Sequence, residues 1–531
     1  MIRTLFKKLN TTILGGAILI SFFTIVSKIL GLVRDRILAS FFGAGEILDV
    51  YFASFRIPDL IFNTLVLGAL ASAFVPIFVK LNQRDRERAN HVSNSILNIL
   101  TIVLTLIALI VIIKADFFVK LLVPGFNLEQ LALTIQLTRI MLLSIVIFGA
   151  SNVMSSLLNS YKSYFFYSLA PVAYNLGIII GIILSNFYGY VYLAWGVVFG
   201  SLLHFIIQLF AVIKKGWHYS PIFDFKDTYV RKIFKLMLPR TLGLAIMQVN
   251  QVVITMVASN LVAGSIAVFY FGMNLQSAIV SVFGVSIAIA VFPVLSEHAD
   301  DSEKFIDYLV HKIKKIIFLV IPISVLMIIL RAQIVRIVLG TGNFDWQDTY
   351  YTAQVLGYFS ISLIFQCLLP LIARAFYALE DTKTPVITSI FSFVLNIVLA
   401  VHLSARMGIE GIAIAFSASS ILNLSLLFLV MYKKFPQMKK YKLNIFISKV
   451  VFNSAIMGIL VYLSRNVLSL GVDMTKFIGI FLQLIFAFLI GVVIYFILSI
   501  IMKLPEAEIL KKYYSKFESY LLKKMKNNYE D

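Results

Sequence analysis

The sequence predicts an all-α polytopic membrane protein of fourteen transmembrane helices, arranged as two parallel six-helix repeats followed by two further helices. Three observations predict it: an oily composition, a series of apolar runs of bilayer length, and internal similarity at a fixed offset. Of 531 residues, 60% are apolar and 14% are charged, against roughly 45–50% and 25% in a soluble domain. Such a chain is too apolar to dissolve and too long to be one anchor.

A bilayer core of about 30 Å takes about 20 apolar residues per helix. Cutting at polar clusters and Gly/Pro punctuation gives spans near 13–35, 47–78, 92–113, 135–159, 165–186, 190–213 and 237–260 in the first half. Those near 267–296, 313–330, 352–377, 385–403, 410–432, 447–464 and 477–502 follow. The first follows Lys7 and Lys8 as a signal peptide would. It lacks an A-x-A cleavage site and many spans come after it, so it reads as a retained helix. The second and eighth are long, so tilt, kinks or interfacial ends are expected. Pro58 in the second would free backbone groups and kink it. Arg139 and Arg374 sit near span ends and read as interfacial anchors.

The connections orient the chain. Seven Lys/Arg lie in 214–240, six in 433–449 and seven in 503–531, all on one side if spans alternate. The connections 186–190 and 260–266, on the other side, have no Lys, Arg, His, Asp or Glu. This bias places both termini in the cytoplasm and favours an even number of spans. The tail, with "LKKYYSKFESYLLKKMKNN", reads either as an amphipathic helix on anionic lipid or as a solvated terminal helix.

Repetition sets the domains. "GEILDVYFASF" from Gly45 is similar to "GSIAVFYFGMN" from Gly264, and "LLNSYKSYFFYSLAPVAYNLGIII" from Leu157 to "AFYALEDTKTPVITSIFSFVLNIVLA" from Ala375. Six helices separate the copies, and an even number preserves orientation, so the repeat is parallel. The polar link 214–240 marks the boundary. The expected domains are an N-terminal six-helix lobe (1–220), a C-terminal six-helix lobe (221–440), helices thirteen and fourteen (441–505) and a cytoplasmic tail (506–531).

Charge within the apolar runs is where function shows. "SKILGLVRDRILASFFGAG" carries Lys28, Arg34, Asp35 and Arg36 within nine residues. Near the bilayer centre each would cost roughly 2.5–3.5 kcal/mol unless paired or facing water. Helix rise puts Lys28 about 22 Å beyond Ile13, inside the core, and Arg34 near its edge, from which a bend at Gly31 would bring it inward. Lys28 and Asp35, like Asp49 and Arg56, are seven residues apart and share a helix face. We therefore expect cations from the first two spans to face a hydrated cavity and hold an anion. The plainer readings are that Lys28 snorkels, that Arg34, Asp35 and Arg36 are interfacial anchors, and that Asp49 and Arg56 form a surface pair.

Other chemistries find no support. The net charge of +20 is spread over connections rather than gathered in a nucleic-acid-binding domain. The lone cysteine, Cys367, rules out an intrachain disulfide, and the six histidines lack metal-ligand spacing. "GTGNFD" at 340–345 lacks the third glycine of a dinucleotide fingerprint, and no phosphate loop for ATP occurs. No bound cofactor is expected, and a membrane potential or ion gradient is the expected driving force. The short outer connections, the longest near 114–134 and 331–351, disfavour a membrane-embedded glycosyltransferase. The positive first span disfavours a carrier of organic cations.

These residues resemble a known family. "SKILGLVRDRILASFFGAG…DVYFASFRIPDL" followed by "GALASAFVPIF" is similar to the first two helices of the MurJ (MviN) lipid II flippases, of the multidrug/oligosaccharidyl-lipid/polysaccharide exporter superfamily. "RAFYALEDTKTPV" at 374–386 and "LLNSYKSYFFYSLAPVAYN" are similar to its later signatures. The resemblance implies a V-shaped pair of lobes around a cationic cavity, with helices thirteen and fourteen forming a lipid-facing groove. It implies a transporter, not an enzyme, that moves polyprenyl-pyrophosphate-linked peptidoglycan precursor from inner to outer leaflet by alternating access, for cell wall synthesis. The site would be the bacterial cytoplasmic membrane, the partners lipid II and membrane lipids, and the working form a monomer.

On the matching positions Lys28 replaces a usual arginine, Arg34, Asp35 and Asp49 are kept, and Arg56 replaces a basic residue. With Asn274, where the family carries an eighth-helix arginine, these are the candidate substrate-binding residues. Phe62 and Asn63 stand where the resemblance implies another arginine, and Leu67 where it implies an acid. A flippase for another polyprenyl-pyrophosphate-linked oligosaccharide is the alternative.

Overall fold

The computed structural model describes residues 13–67, 70–471 and 473–508. The regular elements among them are all helical, with no strand. Among the described residues, nine helices are long and apolar enough to cross a membrane: Arg86–Ile113, Leu128–Ser160, Tyr164–Tyr188, Val191–Lys214, Ser265–Glu297, Lys383–Met407, Ile409–Lys434, Pro436–Ser469 and Phe477–Ile501. Two bent pairs, Ser302–Ile329 with Arg331–Leu339 and Trp346–Ile361 with Leu363–Ala378, raise the number to eleven if each is one span. The other three expected spans fall on the charged first helix Ile13–Phe42, the interrupted stretch Glu46–Arg84 and Thr228–Ala258. Counting those as spans is what a total of fourteen requires. Of the tail expected over 506–531, residues 509–531 lie outside the described residues.

Caps follow from the sequence between helices. Asp85 accepts from the Arg88 amide at 2.9 Å to open Arg86–Ile113. Asn127 and Gln130 close a reciprocal box at the start of Leu128–Ser160, and Asp227 and Asp301 cap the helices behind them. Each carboxylate or amide oxygen satisfies amides that a helix start leaves without partners.

The chain packs as two compact units. The first comprises Met1–Tyr270, Leu339–Asp348 and Ser404–Ile412; the second comprises Phe271–Val338, Thr349–Leu403 and Ala413–Asp531. By packing, the helix Thr228–Ala258 thus sits with the first unit, against Arg56–Phe62, Asn63–Leu67 and Leu70–Arg84.

Three features of the first unit matter for the site. The first helix ends at Gly43, whose φ of +62° reverses the chain. There the "GTGNFD" stretch caps it: the Asn343 amide donates to the Ser40 carbonyl at 2.9 Å, and the Ala44 amide to Asp348 at 2.9 Å. Helices Tyr164–Tyr188 and Val191–Lys214 meet on glycines. A Cβ on Gly177 or Gly181 would lie 2.3 Å from the Cα of Gly200 or Gly196, respectively, so two four-residue glycine spacings bring the backbones together. Finally, Asn94 and Asn98 donate to the carbonyls of His218, Ser220 and Ile222 at 3.0 Å. The link 214–240 is thereby strapped along Arg86–Ile113, and the Trp217 indole donates to Ser93 at 2.9 Å.

In the second unit, helices Leu443–Gly471 and Phe477–Ile501 pack against each other and against Ser302–Ile329, and the Tyr495 hydroxyl donates to the Phe318 carbonyl at 2.8 Å. The long second and eighth spans are interrupted alike. Helix Glu46–Ser54 stops before Arg56–Phe62, as Pro58 requires by withholding an amide from Ser54. Widened, π-type turns follow at Asn63–Leu67 and, in the repeat, at Val280–Val285. Such turns insert an extra residue per turn and concentrate at functional segments.

Candidate functional site

Of the residues expected to hold an anion, Lys28 lines a cavity of the first unit. Its side chain is exposed, and among the described residues it makes no ion pair or hydrogen bond. The cavity holds about 430 Å³ and lies inside the first unit, between helices Ile13–Phe42, Leu128–Ser160, Tyr164–Tyr188 and Val191–Lys214. That volume lies within the range of small-molecule sites. Its wall sets hydroxyl and amide groups, from Ser27 to Gln208, among apolar side chains such as Phe23 and Phe148, with Lys28 as the fixed cation and no carboxylate among the lining residues.

Arg34, six residues farther along the same helix, sits in a different setting. Its guanidinium donates to Asp35 at 2.8 and 3.0 Å, to Asn175 at 3.4 Å and to the Tyr270 hydroxyl at 3.3 Å. The side chains are 16% and 2% exposed, so Arg34 is a mostly enclosed, neutralised pair rather than a free cation. Asp35 thus pairs with its sequence neighbour Arg34. Asn175 joins the two settings, because its amide also donates to Ser27, at 3.1 Å to the hydroxyl. It therefore fixes both the cavity wall beside Lys28 and the Arg34 fork. The helix Ile13–Phe42 runs through Gly31 without a break, so no interruption there is needed to place Arg34.

Asp49 and Arg56 do not form the surface pair that their spacing allowed, because both are buried, at 3% and 9% exposure, and the break after Ser54 separates them. The Asp49 carboxylate accepts from the amides of Gly264 at 2.7 Å and Ala267 at 2.8 Å. It caps the start of Ser265–Ile279 across more than 200 residues of sequence. Arg56 donates to the Thr255 hydroxyl at 2.9 Å. We expect Asp49→Ala to cost about 2 kcal/mol, because two buried amides lose a charged acceptor. Asp49→Asn should recover part of it, as thermal unfolding of the detergent-purified protein would read. Asn274 belongs to the second unit, half-buried, where its carbonyl accepts from the Ser277 hydroxyl at 2.9 Å.

Sequence reasoning passed over the residues that build the cavity. Asn152, Ser155, Ser156 and Asn159 recur at three- and four-residue spacing on Leu128–Ser160, and His204 and Gln208 are four apart on Val191–Lys214. Polar periodicity on two otherwise apolar helices was the available signal. Phe62, which stands where the resemblance implied an arginine, packs against Phe148 with ring centroids 5.4 Å apart, and both line this cavity.

The link also brings together His91, Asp224 and Asp227, a grouping with no sequence signal. Their oxygens are already engaged. Asp224 accepts from His91 and from the Lys226 and Asp227 amides, and Asp227 pairs with Arg88 and caps a helix. The His91 contact holds the Asp224 carboxyl below its usual range.

Comparison with known proteins agrees with this architecture. The family model "Lipid II flippase MurJ" matches residues 38–482. The probable lipid II flippase MurJ of Thermotoga maritima is 30% identical over 490 residues, covering 91% of this chain and 96% of that relative. That of Buchnera aphidicola from Acyrthosiphon pisum is 28% identical over 492 residues, covering 88% and 94%. A solved lipid II flippase MurJ in an inward closed conformation aligns with a TM-score of 0.78 and 28% identity, over 91% of this chain and 98% of that one. An inward-facing multidrug MATE transporter shares the fold, at a TM-score of 0.66 and 20% identity. The chain is an integral membrane protein and belongs to the MurJ lipid II flippase family.

Proposed function

We propose that this protein flips lipid II, the lipid-linked peptidoglycan precursor, from the inner to the outer leaflet of the bacterial cytoplasmic membrane. Beside family membership, the observation that carries the reading is Lys28. It is a cation without a partner among the described residues, in an apolar helix, open to a cavity with several hydroxyl and amide groups and no carboxylate among its lining residues. Facing such a cavity, the charge is kept hydrated and available, and a diphosphate offers several strong acceptors to an ammonium. Arg34, held by Asn175 and Asp35, is the next cation along the same helix. The prenyl chain would stay in lipid while the headgroup crosses.

Both termini lie in the cytoplasm on this reading, consistent with the Lys/Arg bias of the connections. A membrane potential or ion gradient rather than ATP supplies the drive, and the sequence has no phosphate loop. One observation favours a second substrate, another polyprenyl-diphosphate saccharide: Phe62 occupies a cavity wall where the family resemblance led us to expect an arginine. Expressing the chain in a bacterium depleted of its lipid II flippase decides between them. Restored growth and cell shape support lipid II. Failure to restore them, with the protein in the membrane, supports the other saccharide.

A further inference from the structure

We propose that the cavity beside Lys28 is a subsite for an uncharged, hydroxyl- and amide-bearing group, namely the saccharide portion of the lipid-linked substrate. This deepens the reading above and rests on it. The cavity has depth as well as a rim: Lys28 is exposed, whereas Gln208 is fully buried. The Gln208 side-chain oxygen accepts from Ser155 at 2.9 Å, but its Nε2 donates to nothing, and the buried Oδ1 of Asn152 accepts from nothing. A buried amide left half-paired is costly and points to a ligand or water that completes it. Both residues line the cavity, so one unpaired donor and one unpaired acceptor lie within its wall, the complement of a hydroxyl or an acetamido group.

The remaining wall suits a sugar ring. Phe148 packs edge-on against His204 at 5.4 Å and tilts against Phe62, which gives an apolar surface beside the amides. A few fixed polar groups on an apolar wall is the usual composition of a specific small-molecule site. A single cation and no carboxylate among the lining residues fits neither an organic cation nor a polyanion filling the whole volume. It fits a neutral group attached to an anion that stops at Lys28.

The test compares two probes that share lipid and diphosphate: lipid II and undecaprenyl diphosphate, titrated against the full-length protein in detergent. The parent should bind lipid II about tenfold or more tightly than undecaprenyl diphosphate. Gln208→Leu and, independently, Asn152→Ala should erase most of that preference while leaving undecaprenyl diphosphate binding within about twofold, which also reports an intact fold. Preference retained in both variants overturns the subsite and leaves the flippase reading standing. Failure of the parent to bind either probe overturns the flippase reading and the subsite with it.

Discussion

Gly181→Leu should prevent the first unit from assembling. A Cβ at Gly181 already falls 2.3 Å from the Cα and 2.8 Å from the amide nitrogen of Gly196, and 2.7 Å from the Tyr192 carbonyl. All three obstacles are backbone, so no side chain can rotate away, and the helices themselves must part. Overpacking ordinarily costs about 1–3 kcal/mol; here Gly181→Ala should cost at least the upper value, about 3 kcal/mol, and leucine more. Gly31→Ala is the matched control. The nearest atom to its added methyl is the Asn175 Oδ1 at 4.0 Å, so helix propensity should make it neutral or stabilising by up to about 1 kcal/mol. Membrane-inserted yield and the unfolding midpoint in detergent would separate them.

The second large effect is functional. Lys28→Ala removes the cavity's fixed cation without breaking a contact among the described residues. Stability should therefore change little while affinity for lipid II falls. A charge-assisted hydrogen bond contributes about 1.5–3 kcal/mol, equivalent to roughly 10–150-fold in affinity. Lys28→Arg should retain most of the binding, because charge and donors are kept. Removing Arg34 differs in kind: Arg34→Ala takes away the guanidinium to which the buried Asp35 carboxylate accepts, and the lost stability would obscure any effect on transport. Titrating lipid II against Lys28→Ala and Lys28→Arg, with unfolding midpoints measured alongside, checks this. Weakened binding with an unchanged midpoint is the expected pair of results.

The fold was legible because hydropathy, punctuation and charge bias are written at the scale of whole helices. Apolar runs of bilayer length give the helices but not their starts, since the capping Asp and Asn residues before Arg86, Leu128, Thr228 and Ser302 lie outside those runs. The break in the second span was legible in Pro58. The matching π-type turns were not, since Asn63–Leu67 and Val280–Val285 carry no residue that demands an extra backbone unit.

Within the site, the cost of burying charge pointed to Lys28, which the structure leaves at a cavity. The same argument could not distinguish it from Asp49, whose partners are the amides of Gly264 and Ala267. A one-dimensional count of charges cannot see a cap supplied from 215 residues away. Nor could it see Arg34, Asn175 and Tyr270 converge. The polar lining from Asn152 to Gln208 was hidden for the opposite reason: serine and asparagine are common on spans, and only packing shows that they share one space.

The central claim, that position 28 looks into hydrated space rather than lipid, is open to one direct measurement. The chain's single cysteine, Cys367, is fully buried, so a Cys367→Ser background leaves no competing thiol. In that background Lys28→Cys, and separately Ile29→Cys on the neighbouring helix face, would be treated in native membranes with a charged, membrane-impermeant thiol reagent. The account predicts labelling at position 28, slowed by added lipid II, and none at position 29, whose side chain is 55% exposed yet lines no part of the cavity. Labelling at 29 but not at 28, in folded protein, would contradict it.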